Sequence, residues 1–160
     1  MSPITHALLP VLVMRSVLPQ VFGRPAIPGV VLVAMAGVSP DLLNPHLTLE
    51  ARHLSFSHSV TGFLVFLVAV AGFCKWRPAL LDARQAAMCA CAYGLHLACD
   101  MISGGVALAH PASNEIYGGA WIPLWGWFVS DALLLSYAYL EFRWLPLRRR
   151  IRHVFNSNAS

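Results

Sequence analysis

His96 and Asp100 are the residues of this sequence whose types and spacing most directly indicate chemistry. They lie four residues apart inside the apolar segment 93–111. Residues i and i+4 lie one above the other on one face of an α-helix, so an imidazole and a carboxylate can reach the same point. Both groups bind divalent metal ions, and a carboxylate in an apolar helix is typical of a functional site. Two interpretations are equally supported by these two residues alone: a metal site, or a His–Asp hydrogen bond that holds two helices together.

The composition indicates which class of protein contains this pair. The chain has 160 residues, of which 58% are hydrophobic and 11% charged, and its mean hydropathy is +0.63. Soluble domains carry roughly 25% charged residues, so the composition predicts a membrane protein of one domain. The net charge is +4, and basic residues cluster at 143–152. We interpret this cluster as a topology signal and a contact with lipid head groups, with no nucleic-acid partner.

Apolar segments separated by Gly, Pro and charged residues predict an all-α, multi-pass transmembrane bundle. We expect about four to five membrane helices plus a short half-helix, because one apolar run is too short to span a hydrocarbon core of about 30 Å. The predicted segments are Pro3 to about Phe22, the short run Ile27 to Val38 closed by Ser39-Pro40-Asp41, Thr61 to Phe73 after a cap at Ser57 or Ser59, Asp82 to Ser103, and Trp121 to about Trp144. Residues 1–147 would form one membrane-embedded domain, and 148–160 a basic, partly disordered cytoplasmic tail.

The distribution of Lys and Arg predicts the orientation of these segments. Lys75, Arg77 and Arg84 lie between the third and fourth segments, and five arginines follow from Arg143 onward. Cytoplasmic loops are enriched in Lys and Arg, so both regions, including the C-terminus, should be cytoplasmic. Arg24 then also lies in the cytoplasm, and Arg52 is the exception on the outer side. We therefore expect a multi-pass protein of a bacterial-type inner membrane.

The same orientation brings five potential ligands to the outer face of the membrane. His6, Asp41 and His58 lie at the outer ends of their segments, and so do His96 and Asp100. Five such groups from four segments at one depth favour a metal site over solvated polar residues or a helix lock. Imidazoles and carboxylates suit Zn²⁺ first, with Mn²⁺ or Fe²⁺ as alternatives.

Each candidate residue has an expected role. His58, His96 and Asp100 are assigned to the principal ion, and His6 either completes it or holds a second ion with Asp100 bridging. Asp41 is either a ligand or the general base that accepts a proton from water. His53 either orients a ligand or protonates a leaving group, and a solvated loop position is equally supported. His46 and His110 are interpreted as ordinary loop residues, and Asp131 as the partner of a Tyr, Ser or Arg from another helix.

At these positions the chain resembles the YdjM-like membrane-bound metal-dependent hydrolases, a family first described as a domain of unknown function. The matching elements are Thr5-His6, Pro40-Asp41, His53 with His58-Ser59, and His96 with Asp100 leading to Gly104-Gly105 and Pro111. The likeness covers about residues 5 to 111. The order of ligands is also remotely similar to that of zinc-dependent phospholipases C. Two positions depart from the family pattern, Leu43 in place of an aspartate and Leu54 in place of an arginine. The resemblance therefore implies neither a second metal nor an anion clamp at those positions.

The resemblance and the predicted placement together imply a membrane-bound metal-dependent hydrolase. Its His/Asp site would activate water on a lipid-linked or phosphoester substrate at the lipid–water boundary. The alternative is a metal-binding or metal-transporting membrane protein without catalysis, and a third possibility is a structural cluster that only locks helices. A transporter should carry ligands near the middle of the membrane, whereas these are predicted at one face.

Overall fold

The structure is a computed structural model that describes residues 2–17, 27–45, 48 and 52–146. The predictions that concern Arg24, His46 and the tail 148–160 fall outside the described residues. Within these ranges the structure gives five complete α-helices: α1 (Pro3–Val17), α2 (Ile27–Leu43), α3 (Val60–Trp76), α4 (Ala83–Ile102) and α5 (Leu124–Tyr139). A 3₁₀ turn at Phe56–His58 precedes α3, and a π-helical turn at Leu140–Trp144 extends α5.

The described residues form no β-strand. Two isolated bridges, Ser103–Ala120 and Val106–Tyr117, join the two arms of the loop after α4. The prediction of an all-α fold is therefore confirmed. None of the helices within the described ranges combines the length and the apolar character needed to cross a membrane. The multi-pass arrangement stays a prediction.

The end of α2 differs from the sequence prediction. We expected Ser39-Pro40-Asp41 to close this segment, but the helix continues to Leu43 with Pro40 inside it. Proline lacks the N–H that would bond to the carbonyl four residues earlier. The Ser39 hydroxyl donates to that carbonyl, on Ala36, at 2.8 Å. Because this bond replaces the missing one, the helix carries Asp41 on its last turn.

Side-chain caps fix where α3 and α4 begin. Ser59 caps α3 by accepting a hydrogen bond from the Gly62 amide, so the cap predicted at Ser57 or Ser59 lies at Ser59. Asp82 and Gln85 form a reciprocal capping box at the start of α4. Such caps satisfy amides that the helix itself leaves unbonded. They place His58 directly before α3, and they fix the start of the helix that carries His96 and Asp100.

Close packing of α2 against α1 and α4 forms the centre of the bundle. Val11, Val33, Met88 and Ala92 are buried there. Gly37 allows α2 to approach α1 closely, because a Cβ at this position would lie 2.2 Å from the carbonyl oxygen of His6. The backbone of His6 therefore packs directly on α2.

Asp131 ties α5 to the start of α1. Its Oδ1 accepts hydrogen bonds from the hydroxyls of Ser2 and Thr5, each at 2.6 Å. The prediction that Asp131 pairs with a polar residue of another segment is confirmed, with Ser2 as the serine partner and Thr5 as a second one. This contact fixes the turn of α1 that carries His6.

We expect Gly37→Ala to lower the free energy of unfolding by about 1–3 kcal/mol, the usual cost of overpacking. The clash is with backbone, so rotation of a side chain cannot relieve it. Gly72→Ala is the matched control, because a Cβ at Gly72 has no neighbour within 4 Å. It should be neutral or gain up to about 1 kcal/mol from helix propensity. Thermal unfolding of the two variants in detergent compares them, and equal stability would contradict the close approach of α1 and α2.

Candidate metal centre

Three separate segments bring four ligand groups to one point. Asp41 lies on the last turn of α2, His58 ends the 3₁₀ turn, and His96 and Asp100 lie on the last two turns of α4. One ligand atom from each of the four residues lies within 4.8 Å of all the others. His58, His96 and Asp100 are buried, and Asp41 keeps 21% of its side chain exposed. The group therefore has one accessible side, at Asp41.

The separations between these atoms have the size expected around one metal ion. The Nε2 atoms of His58 and His96 are 3.2 Å apart. Asp41 Oδ1 lies 3.1 Å from His58 Nε2 and 3.7 Å from His96 Nε2. Asp100 Oδ2 lies 3.4 Å and 3.1 Å from the same two nitrogens. Ligands at 2.0–2.2 Å from a tetrahedral ion are about 3.3–3.6 Å from one another. The residues present therefore fit a divalent cation.

The hydrogen bond of the other ring nitrogen fixes the tautomer of His96. Its Nδ1 lies 2.7 Å from the carbonyl oxygen of Gly37. A carbonyl only accepts hydrogen bonds, so Nδ1 carries the proton and donates it. In the neutral form of the ring, Nε2 then presents a lone pair to the cluster. A metal-binding histidine is typically oriented in this way by a bond from its second nitrogen.

His58 has the same tautomer, which follows from the hydroxyls beside it. Its Nδ1 lies 3.2 Å from both Ser55 Oγ and Ser57 Oγ. Ser57 uses its own proton on the carbonyl of Pro40 at 2.8 Å, so toward His58 it accepts. The His58 Nδ1–H therefore donates, and its Nε2 also presents a lone pair. Tyr93 donates to the carbonyl of Ser57 and holds this turn in place.

Four electron-rich atoms consequently face one another in a mostly buried space. They are the two Nε2 lone pairs and one oxygen each from Asp41 and Asp100. Such an arrangement is repulsive unless a cation lies between the atoms. Burial lowers the pKa of His58, although the neighbouring Asp41 carboxylate opposes this shift. The neutral imidazole, which is the form that binds metals, is thereby favoured.

The other oxygen of Asp100 has a different environment. Its Oδ1 accepts a hydrogen bond from Arg52 Nη1 at 2.8 Å and lies 3.2 Å from His6 Nε2. Sequence reasoning missed Arg52 as a site residue and treated it only as an exception to the charge rule. That exception was the available signal, because Arg52 is a lone basic residue on a side that otherwise lacks Lys and Arg.

The remaining predicted residues fall into different places. The ring of His6 stacks on that of His96 with centroids 3.8 Å apart, but His6 lies outside the four-residue group. His53 donates from Nε2 to the carbonyl of Gly104 at 3.1 Å, and its own carbonyl accepts from Ala107. The catalytic role of His53 stays a prediction. His110 faces Asn114 on the exposed loop, as expected for an ordinary loop residue.

Comparison with protein-family models gives a match over nearly the whole chain. The family model described as YdjM inner membrane protein matches residues 1–156, which is nearly the whole chain. The resemblance drawn from the motifs is therefore confirmed. No curated protein and no solved structure matches the chain significantly.

We expect His58→Ala and Asp100→Ala each to remove most of the bound metal, because each deletes one of four ligand groups. Metal content of the purified protein, measured by elemental analysis, is the readout. Asp131→Asn is the control: its carboxylate is hydrogen-bonded to Ser2 and Thr5 and lies outside the group, so metal content should stay near wild type. Loss of metal in Asp131→Asn but not in Asp100→Ala would locate the site elsewhere.

Proposed function

The chain belongs to the YdjM inner membrane protein family, and from this premise we propose that it is a membrane-bound metal-dependent hydrolase. The observation that carries the proposal is the set of two imidazole lone pairs and two carboxylate oxygens within 4.8 Å of one another. Zn²⁺ is the first candidate for this donor set, with Mn²⁺ or Fe²⁺ as alternatives. A divalent cation held there supplies a Lewis acid and lowers the pKa of water toward 7.

The buried ligands and the exposed Asp41 have different proposed roles. His58, His96 and Asp100 would hold the ion from the buried side, with their second atoms fixed by Ser55 and Ser57, Gly37, and Arg52. Asp41 lies on the accessible side, where water and substrate would enter. Its carboxylate can bind the ion or accept a proton from water. Catalytic metal sites keep one side open, and structural sites are closed.

A cavity beside the site supports a lipid-linked substrate. It has a volume of about 660 Å³, within the range of ligand-binding pockets. Apolar residues make up most of its wall, and the hydroxyls of Ser55 and Ser57 lie at its polar part; the other lining residues include Leu43, Leu54, Phe56, Val65, Phe66 and Ala69. The same two hydroxyls contact His58 Nδ1. A chain in this cavity would therefore end next to the metal ligands.

The apolar exterior supports contact with a bilayer. Val68 on α3 and Phe128 and Leu133 on α5 are large apolar side chains that are mostly exposed. Exposed apolar surface of this kind is typical of a membrane or protein interaction site. With the charge distribution of the sequence, this supports a multi-pass arrangement with a cytoplasmic C-terminus and a metal site facing the outer side. Ligands at one end of the bundle favour hydrolysis over metal transport.

Asp41→Asn tests the reaction. Wild-type protein in detergent should hydrolyse a phosphodiester, lose this activity with a chelator and regain it with Zn²⁺ or Mn²⁺. If Asp41 is the base, Asp41→Asn should keep metal near the wild-type level while turnover falls roughly 10²-fold or more. If Asp41 is a ligand, metal affinity should fall, and added metal should restore part of the activity. Full metal together with full hydrolysis in Asp41→Asn would exclude Asp41 from the site.

Ala69→Trp tests the lipid-linked substrate, because it fills the cavity at a distance from the ligands. We expect the KM for a long-chain phospholipid to rise about tenfold, which corresponds to about 1.4 kcal/mol. Hydrolysis of a water-soluble phosphodiester should stay unchanged. Val68→Trp is the control, since Val68 is the exposed neighbour of Ala69 on α3 and does not line the cavity. Equal effects of both variants on both substrates would contradict a chain-binding role.

A further inference from the structure

The two oxygens of Asp100 face two different sets of partners. Oδ2 lies against the Nε2 atoms of His58 and His96, where the proposed ion would bind. Oδ1 lies 3.2 Å from His6 Nε2 and accepts from Arg52 Nη1 at 2.8 Å. A carboxylate with imidazoles on both sides is the arrangement expected for two ions bridged by Asp100. On the Oδ1 side, however, the structure has a guanidinium.

Arg52 is held there by Asp100. Its side chain is only 2% exposed, and within the described residues its Nε and Nη2 make no hydrogen bond. Among the described contacts, the hydrogen bond to Asp100 is the one that compensates the buried positive charge. Removing a charge from water is costly unless a partner of opposite charge lies close to it. The Asp100 carboxylate therefore offsets the cost of burying the Arg52 guanidinium.

His6 is arranged as a donor to this carboxylate. Its Nε2 points to Asp100 Oδ1, and its Nδ1 has no hydrogen-bond partner in the described part of the chain. In the neutral ring, one of the two nitrogens carries the proton. With the proton on Nε2, His6 donates a hydrogen bond to Asp100 Oδ1, the oxygen that also accepts from Arg52. His6 and Arg52 thus both donate to the same oxygen.

The summed formal charge of the side chains around the site favours binding of one divalent ion over two. Among the residues that the structure describes, two carboxylates, one guanidinium and neutral histidines give the cluster a formal charge of −1. One divalent ion changes this charge to +1, and a second ion would raise it to +3 in a buried space. Like charges at these distances repel strongly where water is excluded.

From these contacts we propose that the site holds a single divalent ion, and that the Arg52 guanidinium occupies the place of a second one. This inference rests on the proposed metal site. Arg52 is a positioning residue: it fixes Oδ1 so that Oδ2 points to the ion. It also keeps a permanent positive charge beside the site, which favours an anionic substrate such as a phosphoester.

The test is the number of Mn²⁺ ions bound per chain in detergent, together with the electron paramagnetic resonance spectrum. Wild type should bind one ion and show the spectrum of isolated Mn²⁺. Arg52→His removes the cation and adds a third ligand beside His6 and Asp100, so it should bind two ions with a spin-coupled spectrum. Arg52→Lys keeps the charge and should bind one ion. Arg15→His is the matched control, since Arg15 is also ion-paired, with Glu141 at 2.9 Å, but far along α1 from the site; it should bind one ion.

The possible results separate the two proposals. Two coupled ions in wild type would overturn the role of Arg52 and leave the hydrolase proposal intact. The same applies if Arg52→His, folded as judged by circular dichroism, still binds only one ion at saturation. If Arg52→His does not fold, the number of Mn²⁺ ions bound by wild type and by Arg52→Lys still tests the proposal. Two ions bound by either protein would contradict it. No ion in wild type would overturn the metal site and this inference together.

Discussion

The buried carboxylate of Asp100 is the interaction on which the arrangement of this protein depends. Its two oxygens contact His6, Arg52, His58 and His96, which come from α1, the segment before α3, and α4 itself. Removing a carboxylate from water costs several kcal/mol, so such a group persists only where cations and donors surround it. The same residue therefore joins three segments and determines where positive charge must lie.

Local backbone chemistry makes this convergence possible. Pro40 keeps α2 from using one of its carbonyls, and Ser39 satisfies that carbonyl, so the helix continues to Asp41. The Gly37 carbonyl accepts from His96, and the Pro40 carbonyl accepts from Ser57. The last turns of α2 thus orient His96 directly and orient His58 through Ser57. The carbonyl of Pro40 thus helps to fix the ring of His58 through Ser57.

These observations also show what the sequence could and could not reveal. The i, i+4 spacing of His96 and Asp100, and the charge rule that assigned segment ends to one side, were enough to bring Asp41 and His58 into the same group. The continuation of α2 through Pro40 could not be read from propensity, because a side-chain bond from Ser39 compensates the missing amide. Arg52 was missed for a related reason: a charge rule describes exposed loops, whereas this arginine is buried against a partner 48 residues away. The hydroxyls that set the tautomer of His58 also depend on tertiary contacts that no local pattern encodes.

The unequal exposure of the ligands connects this geometry to function. Three of the four groups are buried and have their second atoms hydrogen-bonded, whereas Asp41 is partly exposed at the end of a helix. A purely structural metal site is closed, with its ligands shielded from solvent. A site that acts on a substrate needs a rigid buried side, which fixes the cation, and one accessible side, where water and substrate can approach it. The cavity lined by Ser55 and Ser57 lies on the Nδ1 side of His58 and extends along α3, and its walls are mostly apolar. The proposed hydrolysis of an amphipathic ester rests on these three features: rigid ligands, one exposed carboxylate and a nearby apolar cavity.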